Sequence, residues 1–319
     1  MQERNKITAI LLLVIFAIFS CDDVLEEDIT DDVIQITNPL NGSVIVGNTV
    51  GFSWQAVDGA DNYRIQILEN SQTTILDSLI SSTTFNYVLN EGSYQWRVKG
   101  ENFAYQTAYS FPASFDVEVS EDLTTQTVVL QTPSANLYTN TNTFIFTWDN
   151  LPSANSYTIE ILKNISGLQT VFQESGITNN TITVDATVFS DDAEYVWRVK
   201  AVNATSQTNT VERAFFIDRV TPNQPTLVTP LDFETATIGT VTFNWLNGTD
   251  SGNVQSQITN TFEIASDLNF NTTIYSTSTT NNSSQFEFTA IGTYYWRVKA
   301  TDLATNSSEY SIVRTIEIQ

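Results

Sequence analysis

The side chains in this sequence best suited to hold a ligand are aromatic, and they gather in one stretch, ENFAYQTAY, which contains Phe103, Tyr105 and Tyr109. Aromatic faces on a loop hold sugar rings or a partner's apolar side chains by stacking, and loops on a rigid scaffold are where recognition concentrates. The corresponding stretches elsewhere, VNATSQTNT and TDLATNSSEY, are small and polar. Alternation into the strand that follows buries at least one of the three rings, so packing competes with ligand binding for them. A second set is cationic: Arg97 and Lys99, Arg198 and Lys200, and Arg297 and Lys299 occupy the same places in three WRVK motifs. That stripe suits an acidic glycan or partner protein, but Glu160 and Glu263 on the facing strand make cross-strand ion pairs the simpler reading.

Catalytic groups are scarce. The 319 residues include no histidine, a single cysteine and a single methionine, the initiator. A Ser-His-Asp triad, a Cys-His dyad, the usual zinc sites and an internal disulfide are therefore excluded. Acidic residues number 36 against 13 basic ones, yet no spacing selects two carboxylates for glycoside hydrolysis. No enzymatic activity, no cofactor and no metal site are expected. Oxygen ligands suited to calcium do gather in the turns at residues 58–62 and 250–253, around Asp58 and Asp250, but ordinary turns share that composition. The formal charge of −23 repels phosphate backbones, so nucleic acid is not an expected partner. It also repels anionic headgroups, so membrane attachment has to come from a covalent or apolar anchor.

The elements that position these residues repeat three times. The six tryptophans fall into two sets, Trp54, Trp148 and Trp245, spaced by 94 and 97, and Trp96, Trp197 and Trp296, spaced by 101 and 99. Each unit opens with a segment ending in Pro39, Pro133 or Pro230, which suits an edge strand because proline cannot donate to a ladder. GFSWQAV, FIFTWDN and VTFNWLN follow, and in these an aromatic residue alternates with a polar one at period two, the mark of a half-buried strand. YQWRVKG, YVWRVKA and YWRVKA close the pattern. In the first, Tyr94, Trp96 and Val98 share one face, so the tryptophan points into the core with the tyrosine. All six tryptophans, together with Tyr94, Tyr195 and Tyr294, are expected in the core. No helical periodicity interrupts the strands, and the fold expected is all-β.

The N-terminus carries Arg4 and Lys6, an apolar run from Ile7 to Phe19, then Ser20 and Cys21. The run of about 13 residues is too short to span a bilayer and reads as a secretory signal, residues 1–20. The acidic stretch DDVLEEDITDD follows, and residues 21–33 read as a self-repelling, solvated tether with a reach of about 40 Å at ~3.3 Å per residue. Three modules at residues 34–118, 127–217 and 226–319 come next. The linker between the second and third is stiffened by Pro222 and Pro225, while the first linker has no proline.

Three resemblances follow from these residues. The junction Ile18-Phe19-Ser20-Cys21 resembles the lipobox of bacterial lipoproteins, which implies cleavage before Cys21 and its lipidation. The acidic run behind it resembles the signal that exports lipoproteins of Bacteroidota to the outer face of the outer membrane. The repeats resemble fibronectin type III modules, with immunoglobulin-like sandwiches as the related alternative. Trp54, Trp148 and Trp245 match that family's strand B tryptophan, and Tyr94, Tyr195 and Tyr294 its tyrosine-corner residue, whose hydroxyl bonds upstream. Trp96, Trp197 and Trp296 stand where the family more often has valine, and no Arg-Gly-Asp motif occurs. Together these resemblances imply a lipid-anchored, surface-exposed outer-membrane protein that binds a protein partner or glycan without catalysis. The alternatives are a glycan-capturing accessory of a nutrient-uptake system, similar in layout to starch-utilisation lipoproteins, and a structural subunit of an outer-membrane assembly.

Overall fold

The computed structural model describes residues 26–70 and 72–319. The signal segment, the lipidation candidate Cys21 and the first residues of the acidic tether lie outside the described residues. Within them there is no α-helix, only two short 3-10 turns at Leu123–Thr125 and Ala186–Phe189, and no helix long and apolar enough to cross a membrane. The chain forms two compact units, one ending at Ser120 and one spanning Glu121–Gln319. The first holds module 1 and the second holds modules 2 and 3.

Module 1 consists of β1 (Ile36–Asn38), β2 (Ser43–Val46), β3 (Thr49–Trp54), β4 (Asn62–Glu69), β5 (Thr74–Ile80), β6 (Thr84–Val88), β7 (Gly92–Glu101) and β8 (Ala113–Glu118). They form a three-stranded sheet ordered β1-β3-β6 and a five-stranded sheet ordered β2-β8-β7-β4-β5. In the larger sheet β2 runs parallel to β8, and the other neighbours are antiparallel. Module 2 repeats this order with β9 (Leu130–Thr132), β10 (Leu137–Thr139), β11 (Phe144–Trp148), β12 (Ser156–Asn164), β13 (Leu168–Ile177), β14 (Thr181–Val184), β15 (Ala193–Val202) and β16 (Val211–Ile217). Module 3 repeats it again with β17 (Thr226–Thr229), β18 (Glu234–Ala236), β19 (Gly239–Leu246), β20 (Thr259–Ala265), β21 (Thr273–Thr279), β22 (Ser283–Phe288), β23 (Gly292–Thr301) and β24 (Arg314–Ile318).

Alternation along β7, β15 and β23 turns Trp96, Trp197 and Trp296 inward, and all three are fully buried. Each ring meets a phenylalanine of the opposite sheet edge-on, at 5.0 Å for Phe52, 5.1 Å for Phe146 and 5.1 Å for Phe243. Trp54, Trp148 and Trp245 are buried beside them. Truncating any one of these six rings to alanine removes ~3–5 kcal/mol of packing. Two residues before each inner tryptophan stands a tyrosine whose hydroxyl donates to the carbonyl four residues upstream. The bonds are Tyr94 to Asn90 at 2.9 Å, Tyr195 to Asp191 at 3.0 Å and Tyr294 to Ala290 at 3.2 Å. Each ties the turn before the long strand to the core.

Two segments expected to be loose are packed. Residues 26–33 belong to the acidic run, yet Ile29 inside it is fully buried, and Asn102 of module 1 holds the Glu27 carbonyl two residues before it. Leu123, within the first linker, is likewise fully buried and joins Val128 in the core of module 2. Charge alone predicts a solvated spacer, but one apolar side chain every few residues is enough to dock it, since burying a leucine or isoleucine yields ~1.5–3 kcal/mol. The acidic neighbours Asp28, Asp31 and Asp32 stay in solvent, so docking Ile29 does not bury their charge.

Candidate functional site

The connection from β7 to β8 carries the aromatic candidates. Phe103 is 93% exposed and Tyr105 is 39% exposed, and both line a shallow hollow with Glu101, Asn102 and Gln106. Asn102 shapes the loop, its Oδ1 accepting from the backbone N–H groups of Ala104 at 3.1 Å and Tyr105 at 2.7 Å. Tyr109 is placed differently. It lies half-buried on the sheet face, its ring under the Arg97 guanidinium at 4.4 Å and the Lys99 ammonium at 5.2 Å. Burial raises its phenol pKa, and the nearby Asp77 carboxylate adds to the rise. Tyr310 repeats the arrangement over Arg297 and Lys299 in module 3. The structure thus brings Phe103 and Tyr105 together and sets Tyr109 apart.

The basic stripe is largely engaged with its own sheet. Arg97 donates to Gln66, Lys99 pairs with Glu101 at 3.0 Å, Arg198 with Glu212 at 2.7 Å and Arg297 with Glu263 at 2.8 Å. Glu160 lies 4.0 Å from Arg198. Partly exposed pairs of this kind contribute ~0–1 kcal/mol each, and they leave little free cationic surface for an acidic ligand.

One further feature of module 1 comes from a residue it lacks. Arg213, opposite Trp197, donates through both terminal nitrogens to the carbonyls of Leu130, Gln131 and Pro133. Arg314, opposite Trp296, does the same for Leu227, Val228 and Pro230. Opposite Trp96 the residue is Ala113. A groove opens there between Ile36, Leu40, Phe111 and Ala113, rimmed by Phe111, which is 92% exposed. Phe111 was not singled out from the sequence, because period two alone cannot say which residue of an irregular connection faces water.

A second constellation lies at the entrance of each module. Asn102 follows β7 directly, and its Nδ2 donates to two carbonyls, Glu27 at 2.8 Å and Gly59 at 2.9 Å. Asn203 follows β15 and clamps Glu121 at 2.9 Å and Ser153 at 3.2 Å. In module 3 all three equivalent positions are aspartate. Asp302 follows β23, Asp218 precedes Leu227 by the nine residues that separate Glu27 from Ile36, and Asp250 follows Trp245 by the five that separate Gly59 from Trp54. One carboxylate oxygen from each lies within 4.8 Å of the other two. Asp218 is fully buried, Asp302 is 5% exposed and Asp250 is partly buried. Asp218 Oδ1 accepts from the Val220 N–H at 3.0 Å, whereas its buried Oδ2 has no hydrogen-bond partner among the described residues. Burial pushes the Asp218 carboxyl pKa up to about 6, against the opposing Val220 bond, and repulsion from Asp250, Asp302 and Asp192 adds to the rise. The turn at Asp58 takes part in no such cluster among the described residues.

No family model matches the chain, and no curated protein matches it. Among solved structures it is similar to the chicken CNTN1 FN1-FN3 domains, at 14% identity over 90% of this chain and 97% of that one, with a TM-score of 0.39. It is also similar to fibronectin(III)-like modules of Clostridium thermocellum CbhA, at 12% identity over 58% of this chain and 94% of that one, TM-score 0.23. A two-domain fibronectin type III segment of chicken tenascin aligns at 14% identity over 57% of this chain and 95% of that one, TM-score 0.21. The paired three- and five-stranded sheets, repeated in one strand order and each braced by a tyrosine bond, make this chain three tandem β-sandwiches of the fibronectin type III and immunoglobulin-like kind.

Proposed function

We propose that the protein is a non-enzymatic binding lipoprotein, held by a lipid on Cys21 at the outer face of a bacterial outer membrane. In this reading it holds a protein partner or glycan on the connection from β7 to β8 of module 1. One observation carries the choice of surface: that connection exposes two phenylalanine rings almost completely, Phe103 beside Tyr105 at its tip and Phe111 at the separate groove next to β8. Exposed rings of this size lose hydrophobic stabilisation in the free protein and recover it when a ligand covers them. Modules 2 and 3 supply length and further surfaces for avidity.

The glycan-capturing version of this function is favoured by the shallow hollow at Phe103 and Tyr105, where two rings sit beside polar side chains that suit sugar hydroxyls. The test is a binding screen of the full chain on a polysaccharide panel, paired with affinity isolation from its native membrane, for the wild type and the Phe103→Ala, Tyr105→Ala, Phe111→Ala triple variant. Sugar binding lost in the variant supports glycan capture. A co-purifying partner lost in the variant, with no sugar binding, supports a protein ligand. Unchanged capture by the triple variant overturns the assigned surface. Labelling of intact cells with a membrane-impermeant reagent tests the display; labelling only after lysis overturns it.

A further inference from the structure

We propose that Asp218, Asp250 and Asp302 form a calcium site at the junction of modules 2 and 3. The internal repeat shows what the site replaces. In modules 1 and 2 the partial positive charge at this point is the Nδ2 of Asn102 or Asn203, which binds the incoming chain and a loop of the module in one grip. Asp302 has no such donor. Aspartates at Asp218 and Asp250 bring two more negative groups to the same place; the Nδ2 of Asn306 takes over the grip on the incoming chain at the Asp218 carbonyl, and a cation supplies the positive charge that the three carboxylates lack.

The surroundings do not neutralise the cluster. Among the described residues none of the three forms an ion pair with lysine or arginine. Arg219, next to Asp218, turns instead to Asp192 at 3.0 Å and to the carbonyls of Phe189 and Ser190. Carboxylates held this close in a largely buried site repel each other unless a proton or a cation intervenes. One proton would leave two negative charges, whereas a divalent ion leaves one and supplies the partner missing from Asp218 Oδ2.

The donors are all oxygen, which selects a hard cation. Oxygens on one calcium lie ~2.3–2.6 Å from it, so opposed ligands reach about 5 Å apart; magnesium, at ~2.0–2.1 Å, draws them to about 4 Å. All three oxygens lie within 4.8 Å of one another, close enough to share one ion, and a cluster of three protein carboxylates suits calcium better than magnesium, which dehydrates reluctantly and keeps several of its waters. Asn306 is placed to organise the site, its backbone N–H and Nδ2 donating to the two oxygens of Asp302 at 2.8 Å each, and the same Nδ2 to the Asp218 carbonyl at 3.0 Å. Asp218 directly follows β16, the last strand of module 2, while Asp250 and Asp302 belong to loops of module 3. Calcium therefore ties one module to the next.

The experiment uses the purified full chain, stripped with EDTA and titrated calorimetrically with calcium chloride, alongside melting curves. One saturable site is expected, with the melting midpoint of the Glu121–Gln319 unit raised by about 5 °C at saturation. Asp302→Asn installs the residue that modules 1 and 2 carry and is expected to fold, to bind calcium at least about tenfold more weakly and to lose the shift. Asp250→Asn carries the same expectation and serves should the first variant fail to fold. Glu174→Gln, at an exposed position of β13, is expected to bind as the wild type does. Absence of a saturable site, unchanged affinity in the Asp302 and Asp250 variants, or an equal shift with magnesium chloride overturns the assignment.

Discussion

The indole N–H of Trp96 donates to the carbonyl of Pro39 at 3.0 Å, while Trp197 and Trp296, at the same strand position, have no partner for theirs among the described residues. The difference traces to the residue opposite. Arg213 and Arg314 occupy the Pro133 and Pro230 carbonyls in modules 2 and 3, and Ala113 leaves Pro39 to the indole. Trp96→Phe is therefore expected to destabilise module 1 by ~1 kcal/mol more than Trp197→Phe destabilises module 2, because only the first removes a buried hydrogen bond. Urea unfolding of the two variants, each compared with the wild-type transition of its own unit, measures the gap; equal costs would refute the account.

Arg213→Ala removes three bonds to the opening strand of module 2 and is expected to cost ~2–3 kcal/mol, since charged donors are involved and the carbonyls lose their partner. Lysine at this position is expected to recover less than half, as a single ammonium cannot reproduce the planar fork. Thermal melts of the alanine and lysine variants read both effects.

Phe103→Ala and Tyr105→Ala are expected to leave the melting midpoint of module 1 unchanged, within ~0.5 kcal/mol, because neither ring packs in the core. A loss of stability comparable to that of a core tryptophan would show that the rings are structural and would remove them as ligand contacts.

Acid stability of module 1 is expected to depend on Asp77. Its pKa is lowered from the ordinary 3.8 by the bond from Gln66 and then by that from Arg64. A depressed carboxylate contributes stability that is complete above the unfolded pKa and is lost as pH falls through the folded one. Asp77→Asn should therefore flatten the decline in stability below about pH 4 and leave the pH 5–7 range level. Denaturant midpoints between pH 3 and pH 6 test this, and an unaltered acid limb in the variant would contradict it.

Much of the architecture was legible because sandwich strands advertise their inward face every second residue. Trp96 and Tyr94 share parity, and that alone places both rings inside. The basic stripe was legible for the same reason, since Arg97 and Lys99 occupy the other parity. What escaped reading depends on contacts between distant segments. Asp250 stood out as part of an oxygen-rich turn, but Asp218 and Asp302 are ordinary acidic residues until the fold brings them to it. Their signal was present in the repeat itself: aligning Asn102, Asn203 and Asp302 shows one position changing from amide to acid. Ile29 escaped because its neighbours are charged, and composition averages over the one side chain that docks.

The parallel pairing of β2 with β8, and of its counterparts in the other modules, bears on how the molecule carries load. In each sandwich the strand near the entering end and the strand at the leaving end run side by side in one direction. Pulling those ends apart slides the two strands past each other, so several hydrogen bonds resist together and none peels away ahead of the rest. A force applied to the two ends of a module therefore meets that seam in shear, with its hydrogen bonds loaded together.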